Sequence, residues 1–191
     1  MELVKHTPLI YQYNNVVSKE ECNNIIEHSK GFDWTQLNSV RSKRRHNRHL
    51  PVTLHNYIPE VAFVDNFSHK HIWKIHNQYL DDNPMADYVT NGIDKWKAEY
   101  YLRFYDTNDN YDWHVDKGAN QSLILSYILY LNDDFIGGNT LFYTEKLKVR
   151  PKQGSILVFP CGLQTIHKST RVTQGKKYII WCCYENISTI N

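Results

Sequence analysis

Apolar positions change their spacing near the middle of this chain. Early on they recur at helical intervals; later they fall into short blocks separated by turn residues. Leu9-Ile10-Tyr11-Gln12-Tyr13 reads as an opening strand. Ser18 is placed to cap a helix, and Glu21, three residues on, completes a capping box. Cys22, Ile25 and Ile26 supply the apolar side of that helix, which runs to about Lys30 and stops at Gly31. A second helix is expected over 66–80, where Phe67, Ile72, Ile75 and Tyr79 form a stripe, with Pro84 breaking it. Strands are expected at 97–105, 122–131, 140–143, 155–159 and 178–184. Turn signals separate them, among them Asn132-Asp133-Asp134, Gly137-Gly138, Gln153-Gly154 and Gln174-Gly175. Many short strands with the early helices outside one sheet suggest a β-sandwich or rolled barrel, mainly β with flanking α-helices.

Composition adds limits. The 191 residues, 41% hydrophobic and 22% charged, fit one globular domain over 1–191, with helical support at about 15–95 and a β core at about 96–185. A net charge of +2 points to no partner class. Residues 1–14 lack the basic-then-apolar order of a secretory signal, and no apolar run approaches the roughly 18 residues of a membrane span. Cys22, Cys161, Cys182 and Cys183 match neither a disulfide framework nor a zinc ribbon. A cytoplasmic, reducing setting without membrane contact is the expectation.

The chemistry lies in the second half. His114-Val115-Asp116 and the later His167 offer two imidazoles and one carboxylate, the donor set of a facial triad that holds Fe(II) and leaves positions open. On a strand, His114 and Asp116 would point to the same face. Ten histidines make a chance pattern easy, so the surroundings matter. Lys177 shares strand parity with Ile179 and Trp181. If that face is interior, its ammonium needs an anion, and a dicarboxylate ligand would supply one. Otherwise Lys177 is solvated at a strand mouth beside Lys176. Tyr130 can donate to a carboxylate from the long strand; Tyr105 and Tyr111 flank the loop leading into His114. Each tyrosine can equally be a packed aromatic.

Together these residues resemble the prolyl 4-hydroxylase-like branch of the Fe(II)/2-oxoglutarate-dependent dioxygenases. The matching stretches are Arg103-Phe104-Tyr105, Tyr111 through Asp116, Tyr130-Leu131-Asn132, Gly137-Gly138, Pro151 through Ser155, Phe159-Pro160, and His167 through Val172 with Gly175, Lys177 and Trp181. The resemblance implies a double-stranded β-helix, a jelly-roll or cupin-like core. It implies His114, Asp116 and His167 as iron ligands, Lys177 and Tyr130 on the distal carboxylate of 2-oxoglutarate, and Tyr105 near its metal-bound end. Trp181 matches an aromatic close to the iron. The chemistry implied is hydroxylation of a C–H bond by O2, with 2-oxoglutarate leaving as succinate and CO2 and ascorbate as an optional reductant. Two departures from the family pattern are visible. The loop 106–110 carries Asn and Asp where many relatives have glycine, and the stretch after Asp116 is short.

Substrate signals are weaker. Arg41 through Arg48 places five positive charges in eight residues, either a solvated loop or a cover over the site that favours an acidic or phosphate-bearing partner; Arg44 and Arg45 stand at its centre. Arg103, Trp113, Arg171 and Trp181 are further substrate-facing candidates. A peptidyl proline in a protein or peptide is the leading substrate. The alternatives are the same chemistry on a free amino acid, another small molecule or a nucleobase, and a non-catalytic module that binds nucleic acid. The nucleic-acid dealkylating branch places an arginine further beyond the last histidine, so Lys177 argues against it. Oligomeric state has no sequence signal.

Overall fold

The computed structural model describes residues 1–32, 46–90, 96–116 and 123–186. The basic segment is therefore only partly in view, and Arg44 and Arg45 lie outside the described residues. Helix α1 spans Lys19–Lys30. The Ser18 hydroxyl accepts from the Glu21 amide at 3.1 Å and the Glu21 carboxylate accepts from the Ser18 amide at 3.1 Å, which is the expected capping box. Gly31 ends the helix at φ −78°, without the left-handed turn.

Helix α2 spans Pro59–Asp82 and begins well before position 66. Pro59 supplies a φ already suited to the first helical turn, and Val61 and Val64 extend the buried stripe. Pro84 does more than end a helix. The Asn83 side chain accepts from the Ala86 amide at 3.2 Å, so Pro84 becomes the first residue of a short helix α3, Pro84–Thr90.

The strands are β1 (Glu2–Lys5), β2 (Tyr11–Asn14), β3 (Arg48–Pro51), β4 (Trp96–Tyr105), β5 (Tyr111–His114), β6 (Leu123–Tyr130), β7 (Ile136–Gly137), β8 (Thr140–Phe142), β9 (Leu147–Val149), β10 (Ile156–Pro160), β11 (His167–Ser169), β12 (Val172–Gln174) and β13 (Lys177–Asn186). Seven form the larger sheet, in the order β1-β2-β10-β6-β13-β4-β3, and four form the smaller, β5-β11-β8-β9. β7 and β12 pair separately.

Side-chain alternation in the larger sheet creates two interiors. Leu102, Phe104, Tyr127, Leu129, Ile180 and Cys182 face the helices and join Ile25, Ile72, Ile75 and Tyr79 in one core. Tyr105, Ile128, Tyr130 and Ile179 face the other way and pack with Phe142 of the smaller sheet and with Phe159. The helices thus cover one face, and the second face is left to hold a site between the sheets. Among the described residues, no helix is long and apolar enough to cross a membrane.

Candidate active site

The site is assembled by strand register. β5 pairs with β11 so that His114 stands directly opposite His167, and their ring centroids lie 4.2 Å apart. Asp116 falls just beyond β5, on the bend that follows it, so the shared-strand argument applies only to His114. The bend nonetheless returns the carboxylate to the histidines. Asp116 Oδ1 is 3.5 Å from His114 Nε2, and Oδ2 is 3.7 Å from His167 Nε2. One ligand atom from each residue lies within 4.8 Å of the others.

Both rings are oriented in the same way. His114 Nδ1 donates to the Asp112 carbonyl at 2.7 Å, and His167 Nδ1 donates to the Thr165 carbonyl at 3.0 Å. A carbonyl can only accept, so each Nδ1 carries a proton, and each Nε2 is left turned toward the carboxylate. Phe142 and Phe159 wall His167 in, and burial holds its pKa down at about 4 despite Asp116. Burial pushes the Asp116 carboxyl up, but His167, His114 and the donated Ser126 hydroxyl outweigh it and hold it well below the ordinary range. Two ring nitrogens and a carboxylate converging within 4.8 Å form a set of donors that a metal cation can share. His114 Nε2 is buried with no hydrogen-bond partner, an orphaned acceptor that a metal ion would satisfy. Two imidazole nitrogens and a carboxylate are the donor set expected for non-haem Fe(II).

Lys177 opens β13 and is 1% exposed, so it is interior and not at a solvated mouth. Its Nζ donates to the Gly138 carbonyl at 2.7 Å and to Ser169 Oγ at 2.9 Å, which leaves one N–H uncommitted. Gly138 has φ +59°, and a Cβ there would come within 3.1 Å of the Lys177 side chain, so the turn needs glycine. Burial, and then repulsion from Arg103, pull the Lys177 pKa down to about 7. The Tyr105 ring centre is 4.9 Å from Nζ and the Tyr130 ring centre 5.7 Å. Both tyrosines are buried, and the Tyr130 hydroxyl bonds Thr140 Oγ1 at 2.8 Å.

A cleft joins these groups: Arg103, Tyr105, His114, Thr140, His167, Ser169, Lys177 and Trp181 all line it. Two expected substrate residues are not brought here. Arg171 is exposed, and its carbonyl accepts from the Gly138 amide. Trp113 alternates with His114 and lies in a separate groove with Tyr143, under Lys168 Nζ at 4.5 Å. Sequence reasoning missed Ser126, Thr140 and Ser169, small polar residues whose only signal is same-face parity with Tyr130, Phe142 and His167.

Comparison with known proteins agrees with this geometry. The model of the 2OG-Fe(II) oxygenase superfamily matches residues 100–185. This stretch, a little under half of the chain, is similar to that superfamily. The expected enzyme class, a 2-oxoglutarate-dependent oxygenase, is borne out, and with the family come Fe(II), 2-oxoglutarate and O2 as the reagents of its chemistry. A candidate prolyl 4-hydroxylase of Acanthamoeba polyphaga mimivirus is 24% identical over 176 residues, covering 87% of this chain and 69% of that protein. Among solved structures, the viral collagen prolyl hydroxylase of Paramecium bursaria Chlorella virus-1, in its 2OG complex, gives a TM-score of 0.68 at 20% identity, covering 94% of this chain and 97% of that one. A Trichoplax adhaerens prolyl hydroxylase in complex with a hypoxia inducible factor peptide fragment gives 0.69 at 14% identity, covering 94% and 84%. These likenesses bear out the double-stranded β-helix.

Proposed function

We propose that this oxygenase hydroxylates a peptidyl proline, releasing succinate and CO2. One observation carries the oxygenase part: the orphaned His114 Nε2 beside Asp116 and His167, with the buried Lys177, which has no carboxylate partner among the described residues, in the same cleft. The mimiviral, chlorella-virus and Trichoplax proteins to which the chain is similar are all named as prolyl hydroxylases, which supports the proline.

In this reading His114 and His167, through Nε2, and Asp116, through its carboxylate, hold Fe(II). Bound there, the iron supplies the activation of O2 that no side chain can. Asp116 carries no proton at neutral pH, and Ser126 keeps one of its oxygens oriented. The free N–H of Lys177 donates to the distal carboxylate of 2-oxoglutarate, a charge-assisted bond in a site that excludes water. Tyr130 adds a hydroxyl to the same carboxylate, and Tyr105 walls the cosubstrate. The whole chain acts as one domain.

The test is incubation of the purified protein with Fe(II), 2-oxoglutarate and proline-containing peptides, followed by mass spectrometry. The expected result is a gain of one oxygen on proline, matched by succinate. Oxygen gain on a free amino acid or a nucleobase would replace the peptidyl-proline assignment. Absence of any 2-oxoglutarate turnover would favour a binding module.

A further inference from the structure

Arg103 is 4% exposed, on the same face of β4 as Tyr105, and lines the cleft with the iron-site histidines and Lys177. Its Nε donates to His49 Nδ1 at 3.1 Å, and its guanidinium carbon lies 4.2 Å from the Trp181 ring centre. No carboxylate among the described residues forms an ion pair with it. Trp181 Nε1, in the same wall, is a second donor, buried with no acceptor. A buried cation without an anion and a buried N–H without an acceptor are each costly, and both costs are relieved by one negatively charged acceptor.

Charge balance points the same way. The two carboxylates of 2-oxoglutarate together with Asp116 neutralise a divalent iron and the Lys177 ammonium. The charge of Arg103 is left over. Repulsion between Arg103 and Lys177 is already felt without ligands, since Arg103 contributes to the lowered pKa of Lys177. Lys177 is engaged by Gly138 and Ser169, whereas Arg103 is held by His49 and Trp181, so the two cations are anchored by different partners.

We propose that the Arg103 guanidinium and Trp181 Nε1 together receive a carboxylate of the substrate, so that the site selects a C–H bond lying close to a carboxylate. This rests on the oxygenase reading above and deepens it. The bond of Nε to His49 fixes the guanidinium plane and leaves its terminal nitrogens free to form a fork. The carboxylate can belong to an acidic residue near the reacting position of a peptide, or it can be the α-carboxylate of a free amino acid.

The experiment uses two matched sets of substrates with the wild-type chain and with Arg103→Gln, Arg103→Lys and Trp181→Phe. In one set aspartate is compared with asparagine at each position within three residues of a peptidyl proline. In the other, free proline is compared with prolinamide. Each is followed as kcat and KM with Fe(II) and 2-oxoglutarate, and separately as equilibrium binding by calorimetry without O2. The expected result is a preference of about 10- to 100-fold for the carboxylate form in one set, expressed in KM. That preference falls to near unity in Arg103→Gln, shrinks in Trp181→Phe and is partly restored in Arg103→Lys. The set that shows it identifies the source of the carboxylate. Equal handling of both members of both pairs by the wild type overturns the inference, as does a preference that survives in Arg103→Gln. If 2-oxoglutarate is consumed without such a preference, the oxygenase reading stands and this inference falls. If none is consumed, that reading falls, and the calorimetric comparison still decides the role of Arg103.

Discussion

Replacing Lys177 with methionine should stabilise the cosubstrate-free protein while removing its grip on 2-oxoglutarate. The ammonium is buried with two neutral hydrogen-bond partners and no carboxylate among the described residues. Burial and Arg103 lower its pKa from 10.5 to about 7. The folded pKa lies below the unfolded one, so between pH 7 and 10.5 the unfolded chain binds more protons and stability rises with pH. At about 1.4 kcal/mol per pH unit, the charge costs the folded state roughly 4–5 kcal/mol at pH 7 and below. Methionine removes that cost and forfeits two hydrogen bonds worth about 1 kcal/mol each, so a net gain of about 2 kcal/mol is expected at pH 7. The gain should shrink by about 1.4 kcal/mol per pH unit above pH 7, reach zero near about pH 9 and become a small loss by about pH 10, as the cost of neutralising the buried lysine disappears while the two lost hydrogen bonds remain. Urea denaturation of both proteins at pH 7 and at pH 9.5 reads it directly. Calorimetry should show 2-oxoglutarate affinity lower by at least about 30-fold, the lower end expected for truncating a buried charge pair. Equal destabilisation of Lys177→Met at both pH values, together with unchanged 2-oxoglutarate affinity, would refute the reasoning.

Two further outcomes follow from the geometry. Ser126→Ala removes the hydroxyl donated to Asp116 and should weaken Fe(II) binding by about 10- to 100-fold, measured by anaerobic metal titration. His76 is buried against Tyr127, its Nδ1 2.7 Å from the phenol, and burial lowers its pKa from 6.5 to about 4. The folded pKa again lies below the unfolded one, so this group's contribution is lost as pH falls from 6.5 to 4, by about 3 kcal/mol. His76→Gln should flatten that part of the stability–pH curve in denaturation experiments, and an unchanged slope would contradict the assignment.

The parts of this protein that were legible in its sequence are those with a period or a fixed offset. The capping box at Ser18 and Glu21 and the core strands carry such patterns. So do the strand parities that set Lys177 and Tyr130 on one face. The triad was legible as residue types, but its geometry was not. Asp116 reaches the histidines from a bend, and His167 meets His114 through a strand pairing that no local pattern encodes. The beginning of α2 was hidden because a proline reads as a breaker until its place in the first turn is known. Ser126, Thr140 and Ser169 were missed because small polar residues on a strand look alike whether they face solvent or a charge. Parity put Trp113 on the face opposite His114, yet its aromatic character drew attention to the cleft. The burial of Arg103 is a tertiary fact, set by β3 and β13 on either side of β4.

Fe(II) binding by His114, Asp116 and His167 is the step on which every proposed activity of the site depends. The most direct test compares the wild type with Asp116→Ala, measuring anaerobic Fe(II) binding and, on adding O2, conversion of 2-oxoglutarate to succinate. The wild type should bind about one Fe(II) per chain and form succinate; Asp116→Ala should lose both. Succinate formation at the wild-type rate by Asp116→Ala would contradict the assignment of the metal site.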